Sequence, residues 1–372
     1  MTNSEIAAGL ARWSHEPRLG ARAQAALARA GRRLLFVDSS VAALAAAGTL
    51  TDLPRVGPFV ARIICELLDG SRPLNPATET WPDSVRKIYE STEPARLHYI
   101  ALHDARTLLR THAQARPCGD LQMHTTWSDG ASTARAMVTG AIRLGHRFIA
   151  VTDHSQGLKI AGGMSLEQMR RQRVALRRLT DRTGFRVFAG LETNISPTGG
   201  IDVAPRDLAG TEVVLASPHS GLRRREDQTA RFAAVVSHPA VHILGHPRGR
   251  MFGIPRGVVA RWEEVFAAAR EHGTAIEVNA YPDRQDIDHS LIRVALDAQC
   301  LFSIGSDSHE VHELAYVDIA VAHLVTAGAP FERVINYWPL PDLEAWFQRK
   351  AQSGPKETSR GGGGHKVTGG IP

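Results

Sequence analysis

Short apolar runs alternate with helix-like stretches along the middle of this chain. Seven such runs occur in order, and they read GDLQM, FIAVT, FRVFAGL, EVVLAS, VHILG, AIEVN and LFSIG. The stretches between them have helical spacing; in one of them Ser165 and Gln168 stand three residues apart, as in a capping box, and another ends at Gly273. Repeated β-α units with nearly continuous apolar strands are typical of a parallel sheet covered by helices.

Polar side chains stand where each apolar run ends. In chain order they are Gln122 and His124, Asp153 and His154, Glu192, His219, His246, Asn279, and Asp307 and His309. An open sheet would spread these ends along one edge, whereas a closed β/α barrel brings the carboxyl ends of all its strands to one face. The pattern therefore predicts an α/β fold, a seven-stranded TIM-like barrel, with these side chains around one small volume.

The first 70 residues are rich in Ala, Leu and Arg at helical spacing, which predicts a small all-α unit over residues 1–75. Within it, TDLPRVGPFVARIICELLDG predicts a helix, a tight turn closed by Gly57, and a second helix. This stretch resembles a helix-hairpin-helix module, which holds a nucleic-acid phosphate on backbone N–H groups. Such hairpins usually read Pro-Gly-x-Gly, and Arg55 replaces the first glycine here. An ordinary packed helical turn remains the alternative.

The other boundaries follow from composition. Prolines and one amphipathic stretch over residues 76–116 predict a helical connector, and residues 117–348 contain the barrel. Residues 349–372 are Gly-rich and without periodicity, so we expect a disordered tail.

Composition narrows the functional classes. Hydrophobic residues make up 43% of the chain and charged residues 22%, which is typical of a globular protein. We find no long apolar run and no signal-peptide pattern, so we expect a cytoplasmic protein without a membrane partner. Three widely separated cysteines do not suggest a disulfide framework. The net charge of +6 favours polyanions without requiring one.

The strand-end residues are rich in imidazole and carboxylate groups. If these groups lie together without as many Arg or Lys partners, their desolvation and mutual repulsion cost free energy unless cations lie among them. These groups are ligands for zinc or manganese, and they are too many for one ion, so we expect two or three divalent ions. Ion clusters of this kind are common in enzymes that hydrolyse phosphate esters. The sequence has no Gly-x-Ser-x-Gly motif, which disfavours a serine nucleophile.

Six motifs together resemble a known superfamily. DLQMHTTWSDG, AVTDHS, GLE, ASPHS, GHP and GSDSH occur in this order over roughly residues 117–345, and they are similar to the motifs of the polymerase and histidinol phosphatase (PHP) superfamily. TDHSQGLKIAGGMS, GHPRGRM and IEVNAYPDRQDI are most similar to the carboxy-terminal PHP domain of bacterial family X DNA polymerases. The resemblance implies a distorted barrel of PHP type behind a helix-hairpin-helix region. Because the barrel starts near residue 117, too few residues precede it for a polymerase palm and fingers, and we expect no polymerase core.

The resemblance also implies three metal positions. The first would use Gln122, His124, Glu192 and Asp307; the second would use Glu192, His219 and His246; the third would use Asp129, His154 and His309. We expect catalysis to depend most on Glu192, Asp307 and His154. Asp153, next to His154, is expected to orient an imidazole and not to bind an ion directly. Gln122 stands where the family has the first histidine of His-x-His, and its neutral oxygen is a weaker ligand, so we expect looser binding at the first position.

Substrate contacts are predicted at two places. Arg248 and Arg250 follow His246 directly and could hold a substrate phosphate, with solvated arginines as the alternative. Arg55 and Gly57 are the candidate DNA contacts in the hairpin.

Three functional hypotheses remain. The first is a metal-dependent nuclease in DNA repair, acting as a 3′-5′ exonuclease or on strand ends or abasic sites. The second is a small-molecule phosphatase of histidinol phosphatase type, with a small phosphorylated substrate as its partner. The third is a DNA-binding scaffold with weak catalysis, which only Gln122 favours. The sequence leaves the oligomeric state open.

Overall fold

The structure, a computed structural model, describes residues 1–112, 114–254 and 257–352. Six helices precede the first strand: α1 Asn3–Trp13, α2 Ala21–Leu34, α3 Val41–Ala46, α4 Pro58–Leu68, α5 Asp83–Thr92 and α6 Leu102–Leu109. The first four share one apolar core, and α5 and α6 lie in the predicted connector. None of the described helices is both long and apolar enough to cross a membrane.

The predicted hairpin connects α3 to α4. Gly57 is the N-cap of α4 and Pro58 is its first residue, where a proline costs no backbone hydrogen bond. Arg55 has φ +72°, the left-handed conformation that glycine adopts without strain. Arg55 therefore keeps the backbone geometry of the glycine that it replaces and adds an exposed cation.

The seven predicted strands form one parallel sheet in the order β1 to β7. Their bounds are β1 Gly119–Asp120, β2 Phe148–Val151, β3 Arg186–Asn194, β4 Val213–Ser217, β5 Ile243–Leu244, β6 Ala275–Asn279 and β7 Phe302–Gly305. Backbone hydrogen bonds connect the two outer strands just beyond β1: Leu121 N donates to Ile304 O at 3.1 Å and Asp307 N donates to Gln122 O at 3.1 Å. The sheet is thus a nearly closed barrel, and the predicted α/β fold is confirmed.

Helices surround the barrel: α7 Ala134–Arg143, α8 Leu166–Thr183, α9 Thr229–Val236, α10 Trp262–His272, α11 His289–Asp297 and α12 Val317–Ala327. The predicted capping box of Ser165 and Gln168 is present at the start of α8, and Gly273 ends α10. A 3-10 turn, Pro205–Leu208, follows β3 in place of an α-helix. The preceding stretch, 195–204, contains Pro197 and two glycines, which disfavour an α-helix.

Helix α13, Leu340–Gln352, packs against the barrel end where the strands begin. Its Phe347 accepts a hydrogen bond from the buried His242 ring at 3.0 Å, and the Lys350 ammonium donates to His272 O at 2.5 Å. The helix continues four residues into the predicted tail, and residues 353–372, the rest of that tail, lie outside the described residues. The opposite end of the barrel, where the strands finish, remains available for a site.

The helical unit contacts the loops at that opposite end. Phe252, from the loop after β5, belongs to the apolar core of the helical unit. Arg32 of α2 forms an ion pair with Asp283. Gln285 exchanges two hydrogen bonds with the backbone of Ile100, both at 2.9 Å. The loop between β6 and α11 is therefore held between the helical unit and the barrel.

Candidate metal centre

Glu192, near the end of β3, is the centre of the strand-end cluster. Its Oε2 lies 3.2 Å from His124 Nε2 and 3.3 Å from His154 Nδ1. Its Oε1 lies 3.0 Å from His246 Nε2 and 3.4 Å from His219 Nε2. Burial raises the pKa of Glu192, but the neighbouring imidazoles outweigh burial and hold this pKa well below its usual range. Both carboxylate oxygens are thus charged and face imidazoles from four different strands.

Asp129 forms a second focus, on the loop between β1 and α7. Its carboxylate lies 3.5 Å from His309 Nε2, 3.6 Å from His154 Nε2 and 3.9 Å from His124 Nδ1. Burial raises the pKa of Asp129, but the hydrogen bond with His309 and the nearby imidazoles lower it to about 2. His124 lies between Asp129 and Glu192, so the two foci form one continuous cluster.

Within the described residues, three groups of side chains bring one possible ligand atom from each member within 4.8 Å of the others. The groups are His124, Asp129 and His309; His124, His154 and Glu192; and Glu192, His219 and His246. The third group matches the second predicted metal position. Asp129 contacts both partners of the third predicted position, His154 and His309. Asp307 belongs to none of the three groups.

Several buried atoms of this cluster have no hydrogen-bond partner within the described residues. They are both ring nitrogens of His124, Nδ1 of His154, Nδ1 of His246 and Oε2 of Glu192. Buried polar atoms without partners are costly, and most in folded proteins are satisfied. Imidazole nitrogen and carboxylate oxygen are the donors that zinc and manganese take, so divalent ions fit this centre. Burial also lowers the pKa of His154 to about 4, which keeps this imidazole neutral and able to ligate.

Outer hydrogen bonds orient the histidines. The Nδ1 of His219 donates to Asn194 Oδ1 at 2.7 Å, and Asn194 Nδ2 donates to Asp202 Oδ2 at 2.6 Å. His309 Nδ1 donates to the carbonyl of Asp307 at 2.9 Å. In both histidines Nε2 is left to face the cluster, as is common for metal-ligating histidines.

Asp153 has a different role from the predicted one. We expected it to orient an imidazole, but its carboxylate accepts bonds from Thr125, Ser128 and Gln172 at 2.6 to 2.7 Å. These bonds fix the start of the loop that carries Asp129. The prediction was wrong because the side chain points toward this loop instead of toward His154.

Glu277 is a buried carboxylate that the sequence reasoning missed. It lies on β6 two residues before Asn279, and it accepts a hydrogen bond from the backbone N–H of His246 at 2.7 Å. Burial raises its pKa well above the usual range, and the Asp307 carboxylate adds to this effect. The sequence contained one signal for this residue. Glu277 is a charged residue within the apolar run AIEVN, and its spacing of two residues places it on the same face of the strand as Asn279.

Asp307 and His246 both have backbone conformations that are unusual for their residue types. Their φ values are +57° and +20°, in the region that favours glycine. Non-glycine residues in such conformations cost free energy and tend to occur at functional sites. Each residue lies two positions beyond the end of a barrel strand, β5 for His246 and β7 for Asp307, where the chain turns.

The two predicted phosphate-binding arginines differ in environment. Arg250 is buried, forms an ion pair with Asp288, donates to Leu97 O at 2.8 Å, and lies 4.1 Å from the ring centre of Tyr99. Because these contacts use the guanidinium, the phosphate-binding prediction for Arg250 is corrected: the side chain joins barrel and connector. Arg248 also pairs with Asp288, at 2.8 Å, but its side chain stays 31% exposed.

Several known proteins are similar to this chain in sequence. No protein-family model matches the chain. It is 33% identical over 233 residues to the "DNA polymerase/3'-5' exonuclease PolX" of Bacillus subtilis, and the match covers 62% of this chain but only 41% of that protein. It is 30% identical over 236 residues to a "Probable phosphatase" of Shewanella loihica, covering 60% of this chain and 91% of the relative.

One solved structure is similar at lower identity. It is histidinol phosphate phosphatase from Lactococcus lactis, in complex with zinc, L-histidinol and phosphate. The alignment covers 57% of this chain and 95% of that one, with 16% identity and a TM-score of 0.40.

Proposed function

This chain belongs to the polymerase and histidinol phosphatase (PHP) superfamily and is a metal-dependent hydrolase of phosphate esters, and we propose that its substrate is the end of a DNA strand. The proposed reaction removes nucleotides or blocking groups from 3′ ends, or cleaves at abasic sites. The observation that carries the hydrolytic part is Glu192, whose two oxygens face four imidazoles in one buried cluster.

We propose that the ligands are Glu192 with His219 and His246 for one ion, and Asp129 with His154 and His309 for another. Divalent ions in such a centre supply a water with a lowered pKa and neutralise phosphoryl charge. Hydrogen bonds within the protein orient two of these ligands: Asn194 orients His219, and the carbonyl of Asp307 orients His309. His124 lies between the two foci and contacts both.

A basic groove lined by residues of α7 and α8 supports a DNA substrate. It has a volume of about 610 Å³, and its lining includes Trp127, which stands two residues before Asp129 in the chain. Arg135, Arg178 and Arg182 line it, and their guanidinium groups have no ion-pair or hydrogen-bond partner within the described residues. Cationic grooves with an aromatic side chain suit single-stranded nucleic acid, because the cations bind the backbone and the ring stacks on a base.

The hairpin of the helical unit supports the same proposal. Arg55 and Gly57 are both exposed, and no atom lies within 4 Å of the place where a side chain on Gly57 would be. A phosphate can therefore approach the backbone at the start of α4 closely. The B. subtilis relative carries DNA polymerase and 3′-5′ exonuclease in its name, which agrees with a DNA substrate.

The test is cleavage of labelled DNA by the purified full chain with manganese or zinc. We expect shortening from the 3′ end of single-stranded, recessed or nicked substrates, or cleavage at an abasic site. Glu192→Gln should abolish cleavage while leaving DNA binding intact, because Glu192 lies in the cluster and not in the groove. A metal-loaded wild-type protein that cleaves none of these substrates would refute the proposal.

A small phosphorylated metabolite is the second candidate substrate. It is favoured by the S. loihica relative, which the match covers almost completely and which is named a phosphatase. Small phosphomonoesters and DNA ends should be compared in parallel with the triple variant Arg135→Gln, Arg178→Gln, Arg182→Gln. Loss of DNA cleavage in the triple variant, with phosphomonoester turnover unchanged, supports the DNA proposal. Rapid phosphomonoester turnover that is equal in both proteins, with negligible DNA cleavage by the wild type, supports the metabolite.

Deletion of the helical unit is a poor discriminator between these candidates. Phe252 of the barrel packs in the core of that unit, and Asp283 pairs with Arg32. Removal of residues 1–75 would therefore uncover apolar barrel surface and release the loop that carries Asp283. Point variants in the groove and the hairpin avoid this problem.

A further inference from the structure

Arg284 places a fixed positive charge inside the cluster. Its Nε lies 3.2 Å from Asp307 Oδ2, and its side chain is 28% exposed. Within the described residues its terminal nitrogens, Nη1 and Nη2, make no hydrogen bond, so these donors remain available. The local sequence pattern around Arg284 does not show that it reaches Asp307.

Asp307 has protein groups close to both of its oxygens. Oδ1 lies 3.1 Å from His124 Nε2, while Oδ2 faces Arg284 and accepts a bond from Asn279 Nδ2 at 3.2 Å. Its oxygens also stay outside the three groups of closely spaced ligand atoms. The guanidinium therefore compensates the charge of Asp307, which the superfamily resemblance assigned to the first metal position.

Gln122, another predicted ligand of the first metal position, also contacts protein groups with its amide. It is fully buried, and its amide lies against the Glu277 carboxylate and accepts a hydrogen bond from Asn279 at 3.0 Å. When the amide nitrogen faces Glu277, it donates to that carboxylate. In both orientations the amide is used within the protein, and Gln122 brings no charge to attract an ion.

The loop that carries Arg284 is held in place from outside the cluster. Its neighbour Asp283 pairs with Arg32, and its neighbour Gln285 is bonded to the backbone of Ile100 in both directions. Movement of Arg284 away from Asp307 would break contacts with the helical unit. A divalent ion beside Asp307 would thus meet a fixed cation that cannot easily withdraw.

We propose that Arg284 replaces the ion at the first metal position. The centre then holds two divalent ions, and the free guanidinium donors of Arg284 bind a phosphoryl oxygen of the substrate. Arginine suits this role because its planar donors match a phosphate and its charge is permanent. The second part rests on the proposed phosphate-ester substrate, whereas the ion count does not depend on any substrate.

The ion count is tested by metal analysis. The full chain is stripped with a chelator, loaded with excess zinc, desalted, and measured by inductively coupled plasma mass spectrometry. We expect two ions per chain in the wild type and in Arg284→Lys, which keeps the cation. The double variant Gln122→His, Arg284→Met restores an imidazole and removes the cation, so we expect three ions. Three ions in the wild type, or two in a correctly folded double variant, would overturn the proposal.

Circular dichroism and thermal unfolding of each variant show whether it is folded. A double variant that does not fold leaves the wild-type count as the deciding result, since three tightly held ions there suffice to reject the idea. Fewer than two ions in the wild type would contradict this inference and the proposed metal-dependent hydrolysis together. A wild-type count of three with active hydrolysis would reject this inference alone.

Phosphate binding tests the second part. Isothermal titration of the zinc-loaded protein with inorganic phosphate should show affinity at least about 10-fold weaker in Arg284→Met than in the wild type, because charge-assisted bonds to phosphate are lost. Arg284→Lys should recover part of the loss, and Arg143→Met, at an exposed position of α7, should match the wild type. Equal phosphate affinity in wild type and Arg284→Met would reject substrate binding by Arg284.

Discussion

Arg250 and Arg248 provide a matched test of how the barrel is joined to its helical unit. Both reach the same oxygen of Asp288, Oδ2, but the Arg250 side chain is 7% exposed and the Arg248 side chain is 31% exposed. Arg250 also contacts Tyr99 and Leu97 of the connector. Substitution of each arginine by Met removes the charge and keeps most of the side-chain volume, so the two variants differ mainly in burial and connector contacts.

The expected magnitudes differ several-fold. Breaking a buried ion pair by removing one partner costs about 3 to 5 kcal/mol, because the other charge stays buried. Arg250→Met should lie toward the lower end, since Arg248 still faces Asp288. It also forfeits the contact of the guanidinium with the Tyr99 ring, worth up to about 2 kcal/mol when desolvated, and these losses do not simply add. For Arg248→Met we expect about 1 kcal/mol or less, as for exposed pairs.

The assay is urea unfolding of both variants and the wild type. Acid provides a second measurement. Burial raises the pKa of Asp288, but Arg250 and then Arg248 outweigh it and hold this pKa well below the usual value. Asp288 thus stabilises the fold above the unfolded pKa of about 3.9, and this contribution is lost as the pH falls below it. The difference between wild type and Arg250→Met should therefore shrink below about pH 4.

A loss of stability below about 1 kcal/mol for Arg250→Met, or a larger loss for Arg248→Met than for Arg250→Met, would refute this role of Arg250. A stability difference that stayed constant from pH 7 to pH 3 would contradict the part assigned to Asp288. In that case the contribution of Arg250 would come from packing on Tyr99 alone.

Three further predictions concern the site and the hairpin. Asn194→Ala should lower zinc affinity about 10- to 100-fold, measured by competition with a chromophoric chelator, because His219 loses its orienting acceptor; unchanged affinity would contradict this role. Glu192→Gln should bind at least one ion fewer by mass spectrometry, and an unaltered count would exclude Glu192 as a metal ligand. Arg55→Gly should raise the free energy of unfolding by about 1 kcal/mol by relieving the left-handed backbone, yet weaken DNA binding in fluorescence anisotropy; binding that stays equal would remove Arg55 from the DNA interface.

Much of the fold was predictable because strands and helices leave periodic local patterns. The seven apolar runs became the seven strands, and Ser165 and Gly273 mark helix ends where predicted. The polar residues after each run meet at one end of the barrel for a topological reason, since parallel strands all finish on the same side. Glu277 was missed because a single buried carboxylate interrupts an apolar run without changing its pattern.

Contacts between distant loops were not predictable in this way. Asp153 and Arg250 were given wrong partners, since their actual partners lie on other segments of the chain: Gln172 on α8 and Tyr99 in the connector. The residues next to Asp153 and Arg250 in the sequence do not indicate which distant side chains these two residues contact. The same holds for Arg284, whose meeting with Asp307 depends on how the helical unit positions one loop.

The sequence by itself determined which side chains gather where the strands end, because alternation along a strand and parallel strand direction are local properties that accumulate into a barrel. Only the tertiary structure decided what those side chains contact. Whether Gln122 faces an ion or Glu277, and whether Asp307 is compensated by metal or by Arg284, depends on packing between segments more than 20 residues apart, which no local pattern encodes.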